Sequence, residues 1–444
     1  MLLLFNNSTI QTPTIRFRVP TTNIENPSLM KTFKGLTVLM TACVVSSTAF
    51  CQTTTMPVST ATSVTEPEKK KESPTPKKWY DKISLRGYAQ IRYNRLLETN
   101  EKLKCEQCDR SWGENGGFFV RRGRLIFSGD VSDRLYVYIQ PDFASNVSNS
   151  FQHSFQIRDA YFDLALDAKK EYRLRFGQSK IPYGFENMQS SQNRLALDRA
   201  DATNSPVSNE RDLGVFFYYA PAEIRERFKY LVSSGLKGSG DYGVFAFGAY
   251  NGQNANKAEL NNEPHIVSRI TYPFKMKSGQ IIEAGVQAYT GRFVIDKTAT
   301  KNKATETQFF DRRMAGTLVI YPQPFGFQAE YNVGEGPEFN PTTMKTEMKD
   351  LNGGYAQVMY RKKVGENHIT PFVKYQYYNG GKKHEIDARS YIVKDLEIGA
   401  EWQLKEFFEL TAIYTISDRT FEDAVLPVNN QTGSLLRLQA QFNF

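Results

Sequence analysis

The chain has 444 residues, with 24 tyrosines and 31 phenylalanines against 4 histidines. Its formal charge of +9 is too mild a basic excess to argue for nucleic acid. Mean hydropathy is −0.49 and no run of 18 apolar residues follows about residue 50, which excludes helical membrane spans; the remaining way to cross a membrane is a closed barrel, whose strands satisfy one another's backbone hydrogen bonds.

Residues 1–29 sit awkwardly before a secretory signal and read as a misassigned upstream extension, with Met30 as the true start. Residues 30–51 read as that signal. Lys31 and Lys34 form its positive end, Gly35 to Phe50 its apolar stretch, and Ala49 and Cys51 the small residues of a cleavage site before Gln52. A single membrane anchor competes, but the run is short and Ser/Thr-rich; a lipoprotein site at Cys43 competes less well, because the apolar run continues past it. Residues 1–51 carry Arg16, Arg18, Lys31 and Lys34 against Glu25, a net +3, which leaves +6 on a chain starting at Gln52. Residues 52–80 are Thr, Pro, Lys and Glu with almost nothing apolar, the composition of a disordered periplasmic leader. Residues 81–444 form the barrel domain.

From Lys82 the sequence alternates with period two. Ile83, Leu85, Gly87, Ala89, Ile91 and Tyr93 share one face of a strand, and Ser84, Arg86, Tyr88, Gln90, Arg92 and Asn94 the other. The last segment repeats this, with Leu436, Leu438, Ala440, Phe442 and Phe444 against Arg437, Gln439, Gln441 and Asn443. An apolar face toward lipid and a polar face toward water is the pattern of a pore wall. Sixteen strands are predicted, at 83–96, 118–129, 134–143, 154–166, 171–178, 212–220, 241–250, 265–274, 281–290, 309–321, 325–334, 353–362, 368–378, 392–404, 407–417 and 434–444. Short connections such as Pro322-Gln323-Pro324 and Lys405-Glu406 alternate with long ones near 97–117, 144–153, 179–211, 251–264, 291–308, 335–352, 379–391 and 418–433. The fold class is therefore all-β: a transmembrane antiparallel β-barrel with short periplasmic turns and long external loops. Phe228–Gly235 looks strand-like, but as a spanning strand it would move every later long loop to the short-turn side. It is placed in a long periplasmic connection, 221–240. Aromatics near strand ends, among them Tyr93, Phe118, Tyr272, Phe274, Tyr321, Phe325, Trp402 and Phe408, suit interfacial girdles.

The stretch Arg173-Leu174-Arg175-Phe176-Gly177-Gln178-Ser179-Lys180-Ile181-Pro182-Tyr183-Gly184-Phe185-Glu186 resembles the phosphate-selective porin O and P family. Arg121-Arg122-Gly123-Arg124-Leu125, Arg158-Asp159-Ala160-Tyr161-Phe162, Glu210-Arg211-Asp212-Leu213-Gly214-Val215 and Tyr250-Asn251-Gly252 add to the resemblance, in order, across the barrel. Phe444 resembles the terminal aromatic that barrel-assembly machinery reads. The resemblance implies a sixteen-strand, homotrimeric porin of the bacterial outer membrane, without a cofactor. It does not imply phosphate selectivity, which in the family rests on a ladder of loop arginines that this sequence does not visibly place.

Selectivity in a wide pore comes from its narrowest ring and the charges there. The longest loop, 179–211, is the third external loop, and the resemblance implies that it folds into the lumen. Its cations are Lys180, Arg194, Arg199 and Arg211; its acids are Glu186, Asp198, Asp201, Glu210 and Asp212. By alternation Arg86, Arg92, Arg122, Arg124, Arg173, Arg175, Arg269, Arg313, Lys374 and Arg437 face inward, as do Asp142, Asp159, Asp163, Glu283, Glu330, Glu397, Glu401 and Glu409. Closing the barrel puts Arg437 beside the first strand and builds a basic wall with acids opposite. Guanidiniums suit phosphate and carboxylate, so the wall would pass small anions such as phosphate. The bland alternative is that these charges pair across strands and merely solvate the lumen. Cys105 and Cys108, separated by Glu106 and Gln107, read as a local disulfide in an external loop, which an oxidising compartment permits. No zinc site is expected there, since no second cysteine pair or nearby histidine is present; the loop's Asp, Glu and Asn content leaves calcium as a weaker alternative, and no metal ligand is assigned.

The leading expectation is a passive, anion-preferring porin contacting outer-membrane lipid. The runner-up is a surface or structural barrel, or the channel partner of an uptake system. A barrel hydrolase ranks last. His153, His265, His368 and His384 are its only candidate bases and none stands beside a serine in a recognisable pattern, so no catalytic residue is assigned.

Overall fold

A computed structural model describes residues 78–108, 112–114, 116–143, 153–207 and 210–444. The upstream extension, the signal and residues 52–77 of the leader lie outside these. Trp79–Lys82 makes a 3-10 turn directly before the first strand.

Sixteen antiparallel strands follow and close on themselves. They are β1 (Ser84–Tyr93), β2 (Phe118–Asp130), β3 (Leu135–Asp142), β4 (Gln156–Ala165), β5 (Tyr172–Lys180), β6 (Arg211–Tyr219), β7 (Phe245–Tyr250) and β8 (His265–Lys275). Then come β9 (Ile281–Val294), β10 (Gln308–Ile320), β11 (Phe325–Asn340), β12 (Lys345–Tyr360), β13 (Asn367–Gly381), β14 (Ser390–Lys405), β15 (Phe408–Glu422) and β16 (Asn430–Asn443). Lys362–Val364 continues β12 past a break at Arg361 and pairs with β13. Each strand pairs with its sequence neighbours, and β16 closes the ring on β1, with Tyr88 opposite Asn443 and Arg92 opposite Gln439. Phe444 adds two backbone bonds to Gly87, at 2.7 and 3.0 Å. No edge strand is left unpaired, the condition for a sheet to sit in hydrocarbon.

The alternation sorts as the sequence implies. Leu85, Ile91, Phe247, Ile270, Val286, Met314, Ile398 and Ile416 point outward and are exposed. Tyr88, Gln90, Arg92, Arg437 and Gln441 point inward and are buried. Connections near 131–134, 322–324 and 405–407 are tight and lie on the side opposite the long loops.

Apart from shifted strand ends, two elements depart from the expectation. The predicted loop 335–352 is mostly strand, because β11 and β12 run on as a hairpin pairing up to Asn340 opposite Lys345. Polar residues on both faces hide the period there, yet the backbone ladder needs no apolar face above the membrane. The strand-like Phe228–Gly235 lies largely in a 12-residue helix, Ala222–Ser233. Ile224, Phe228 and Leu231 fall on one helical face and are buried, and Glu223 meets Arg227 one turn later at 2.6 Å. That face packs on the inward residues Ile281, Val319 and Tyr321 and on Phe185, so the helix stoppers the periplasmic mouth. Its place in the connection between β6 and β7 agrees with the parity argument.

Candidate functional site

The segment between β5 and β6, residues 181–210, turns into the lumen. Ile181, Tyr183, Phe185, Met188, Leu195, Leu197 and Ala200 on it are all buried. Two single helical turns, Phe185–Met188 and Asp201–Asn204, punctuate it. It is tied to the wall on every side. The Tyr183 hydroxyl donates to Asn332 of β11 at 2.7 Å, and the backbone amides of Phe185 and Glu186 donate to the Glu330 carboxylate at 2.5 and 2.8 Å. Glu186 receives Lys374 of β13 at 2.5 Å. The Ser191 hydroxyl meets that of Tyr88 on β1 at 2.7 Å. Asp198 receives Arg437 of β16 at 2.5 Å and Arg92 of β1 at 3.3 Å. Asp201 receives Arg419 of β15 at 2.9 Å and Lys382 at 2.5 Å. From the periplasmic side, Gln189 donates to the Lys237 carbonyl at 2.7 Å, and Lys237 reaches Glu401 at 2.5 Å. The pore is therefore narrowed from both ends, by the external loop and by the β6–β7 connection, which meet inside it.

This arrangement decides which expected cations are neutralised. Arg124 pairs with Asp142 at 2.7 Å, Arg173 with Asp241 at 2.8 Å and Arg175 with Asp163 at 2.7 Å. Arg437 holds Glu397 at 2.6 Å besides Asp198, and Arg313 holds Asp311 at 2.7 Å. Cross-strand and loop pairing thus accounts for much of the wall. Arg122 and Arg194 differ: among the described residues neither has a carboxylate within ion-pair distance. Arg122 donates to the Gln90 side chain at 2.7 Å, and Arg194 to the carbonyls of Ala196 and Leu197 at 3.3 and 3.1 Å. Arg92, Arg121, Arg124 and Arg194 all lie within electrostatic reach of Arg122. Arg86 faces the open periplasmic vestibule, a cavity of about 530 Å³, and is exposed. The expected loop cations separate. Lys180 and Arg211 prove to be the last residue of β5 and the first of β6, because the ladder runs two residues further on β5 than the alternation suggested. Lys180 donates to the Met188 carbonyl at 2.7 Å, Arg211 binds Asp159 at 2.9 Å, and Arg199 binds Glu210.

Burial alone would raise the loop carboxylates, but nearby cations outweigh it. Lys374 and Arg194 hold Glu186 below the usual range, Arg419 and Lys382 hold Asp201 there, and Arg199 and Arg211 depress Glu210 strongly. Asp198 is held far down by Arg92, Arg437, Arg121 and Arg122. A carboxylate with a depressed native value contributes stability that is present above its unfolded value and lost as pH falls through the native one. The ion pairs of these four loop carboxylates are therefore expected to be insensitive to pH from 8 down to about 4.5, the unfolded carboxylate range, and to weaken only below it. Near-ultraviolet circular dichroism of the folded protein checks this; a change centred near neutrality would contradict it.

Cys105 and Cys108 form a disulfide that packs with Leu103, Trp112 and the inward Leu435 at the external mouth. The Trp112 ring lies 4.7 Å from the Arg419 guanidinium and 5.3 Å from that of Arg437. The first external loop thus also dips inward, over the same arginines. Two residues of this cluster escaped the sequence reading. Arg419 lies beyond the predicted end of its strand at 417, although the alternation Ser417, Arg419 would have continued it inward. Lys382 sits in a loop, where no period signals direction. His265 is buried and His384 half-buried, both near Lys383 and Asp311. Among the described residues no group of histidines, cysteines and carboxylates is arranged to hold a metal.

A family model described as phosphate-selective porin O and P matches residues 103–444. No curated protein sequence matches the chain. Among solved structures, the OmpF porin of Salmonella typhi, in complex with daunomycin, superimposes with a TM-score of 0.50 at 13% identity, covering 82% of this chain and 98% of that one. The outer membrane channel DcaP of Acinetobacter baumannii gives 0.49 at 13% identity, over 82% and 97% of the chains. An anion-selective porin from Comamonas acidovorans gives 0.49 at 10% identity, over 82% and 99%. At such identities the likeness to OmpF is one of fold.

Proposed function

The chain belongs to the phosphate-selective porin O and P family and is a porin of the bacterial outer membrane, and from that premise we propose that it gives passive passage to small hydrophilic solutes with a preference for anions such as phosphate. The support for the preference is the pair Arg122 and Arg194, which have no carboxylate within ion-pair distance among the described residues and stand beside the place where Arg92 and Arg437 close on Asp198. These two guanidiniums without a carboxylate give the place where the inserted loop meets β1, β2 and β16 its positive potential. Guanidiniums also present paired donors that match phosphate and carboxylate oxygens. A passing anion would exchange water for these donors at a weak site and leave again, as conduction requires.

The test is the reversal potential of the purified protein in a planar bilayer under a potassium chloride gradient. A chloride-selective sign is expected, and Arg122→Ala with Arg194→Ala should reduce the chloride-over-potassium ratio by roughly fivefold, about 1 kcal/mol of lost anion stabilisation. Equal permeability in the parent protein would refute the anion preference. A conducting pore would also separate this reading from a purely structural barrel.

We further propose a homotrimer. Small outward residues, Ala89 and Ala440 on the closing strands and Ala412 on β15, leave a shallow face on which a second copy packs closely. Light scattering in detergent should give three times the monomer mass; a monomer mass would exclude it.

A further inference from the structure

We propose that a second cavity on the periplasmic side of the inserted loop is a binding subsite for an acidic monosaccharide, a sugar ring bearing a phosphate or a carboxylate. This deepens the anion-pore reading and rests on it for the direction of transport, but the binding itself is measurable without conductance.

The cavity has a volume of about 260 Å³ and lies between the β3–β5 wall, the loop 188–193 and the β6–β7 connection. That is close to the lower end for small-molecule pockets, roughly 300 Å³. Its lining is unlike the guanidinium cluster above it. Tyr136, Tyr138, Tyr161 and Tyr242 line it and are half-buried. None of their hydroxyls has a hydrogen-bond partner among the described residues. Elsewhere in the lumen the Tyr88, Tyr183, Tyr289, Tyr321 and Tyr355 hydroxyls bond to protein, while those of Tyr218 and Tyr250 do not. The side chains of Gln192 and Asn193 also line the cavity, and their amide groups have no partner among the described residues.

Two features define the ligand. The first is the aromatic row: Tyr138 and Tyr161 stack at 5.1 Å with their planes 13° apart, and the Arg175 guanidinium caps Tyr161 at 3.8 Å. Arg175 is held by Asp163, so the row is rigid. Tyr161 is covered by Tyr138 on one side and by Arg175 on the other, so the row offers the outer side of Tyr138 and its ring edges, together with unpartnered hydroxyls and amides, which fits a molecule with an apolar ring face and several hydroxyls. Bare phosphate has neither. The second is charge. Arg86 is exposed at the cavity and has no carboxylate partner among the described residues, and Lys180 is satisfied only by a carbonyl. Asp159 and Asp241 also line the cavity, but Arg211 engages the first, and Arg173 with Arg225 the second. Arg86, with the buried Lys180 behind it, therefore calls for an acid group on the sugar.

Isothermal titration of the folded full-length chain in detergent tests this with glucose 6-phosphate, glucuronate, glucose and inorganic phosphate. At least one acidic sugar is expected to bind about tenfold more tightly than both glucose and inorganic phosphate, and whichever does names the acid group. Tyr138→Ala with Tyr161→Ala should weaken it about tenfold, and Arg86→Gln, an exposed site where misfolding is not an issue, about fivefold. Inorganic phosphate binding as tightly as the sugars, glucose binding as tightly, no binding by either acidic sugar, or an unchanged affinity in Arg86→Gln would each overturn the proposal. Absence of bilayer conductance would instead remove the pore reading and leave this measurement standing.

Discussion

Asp198→Asn is expected to raise the anion-over-cation permeability ratio, by roughly fivefold to tenfold, or about 1–1.4 kcal/mol. Asp198 carries the negative charge on which Arg92 and Arg437 both close, and Arg121 and Arg122 act on it as well. Asparagine keeps the shape and one acceptor oxygen, so the loop retains a hydrogen-bonded contact to β1 and β16 while the charge is lost. Arg437 still has Glu397 at 2.6 Å, which limits its rearrangement. Arg92 keeps its bonds to Gln439 and the Leu197 carbonyl, at 2.7 and 2.8 Å, so its guanidinium stays in place while the negative charge of Asp198 is gone. The same gradient measurement used for the parent protein reads the result, and an unchanged ratio would mean that the arginine cluster is not on the ion path.

Arg419→Ala is expected to release the far end of the inserted loop. This guanidinium is completely buried and bridges Asp201 of the loop and Asp395 of the wall. Removing one partner of a buried pair leaves uncompensated charge and costs about 3–5 kcal/mol. Lys382 still holds Asp201 at 2.5 Å, so the loss falls mainly on Asp395 and on the shared geometry. The closed ladder of sixteen strands does not depend on this contact, so the barrel should keep its heat-resistant mobility in detergent gels. The loop should become open to proteolysis, with single-channel conductance increased about twofold or more as the obstruction loosens. A loop as resistant as in the parent protein would show that Glu186, Asp198 and the Tyr183 contact suffice to dock it.

The barrel was legible because its signal is local and repeated. Successive side chains of a strand face opposite ways, so Arg86 to Asn94 or Arg437 to Asn443 declare their side without reference to anything distant. Parity then placed 221–240 correctly in a connection, even though eight of those residues imitated a strand. It could not reveal that Ile224, Phe228 and Leu231 form a helical face, because a short apolar run supports either period. Strand ends were less visible where both faces are polar, which is why Lys180, Arg211 and Arg419 were assigned to loops or left out.

The candidate site was legible only in part. That the arginines face the lumen follows from alternation. Which of them remain uncompensated does not, because pairing depends on where the loop crosses the lumen. Arg437 meets Asp198 across a sequence separation of 239 residues, and Arg92 meets the same carboxylate across 106. No local pattern encodes such a meeting. Composition and period were enough for the wall, its two faces and the membrane it crosses, since each depends on neighbours along the chain. The distribution of charge within the lumen depends on contacts between elements far apart in sequence, and these exist only once the ring has closed and the loop has folded into it.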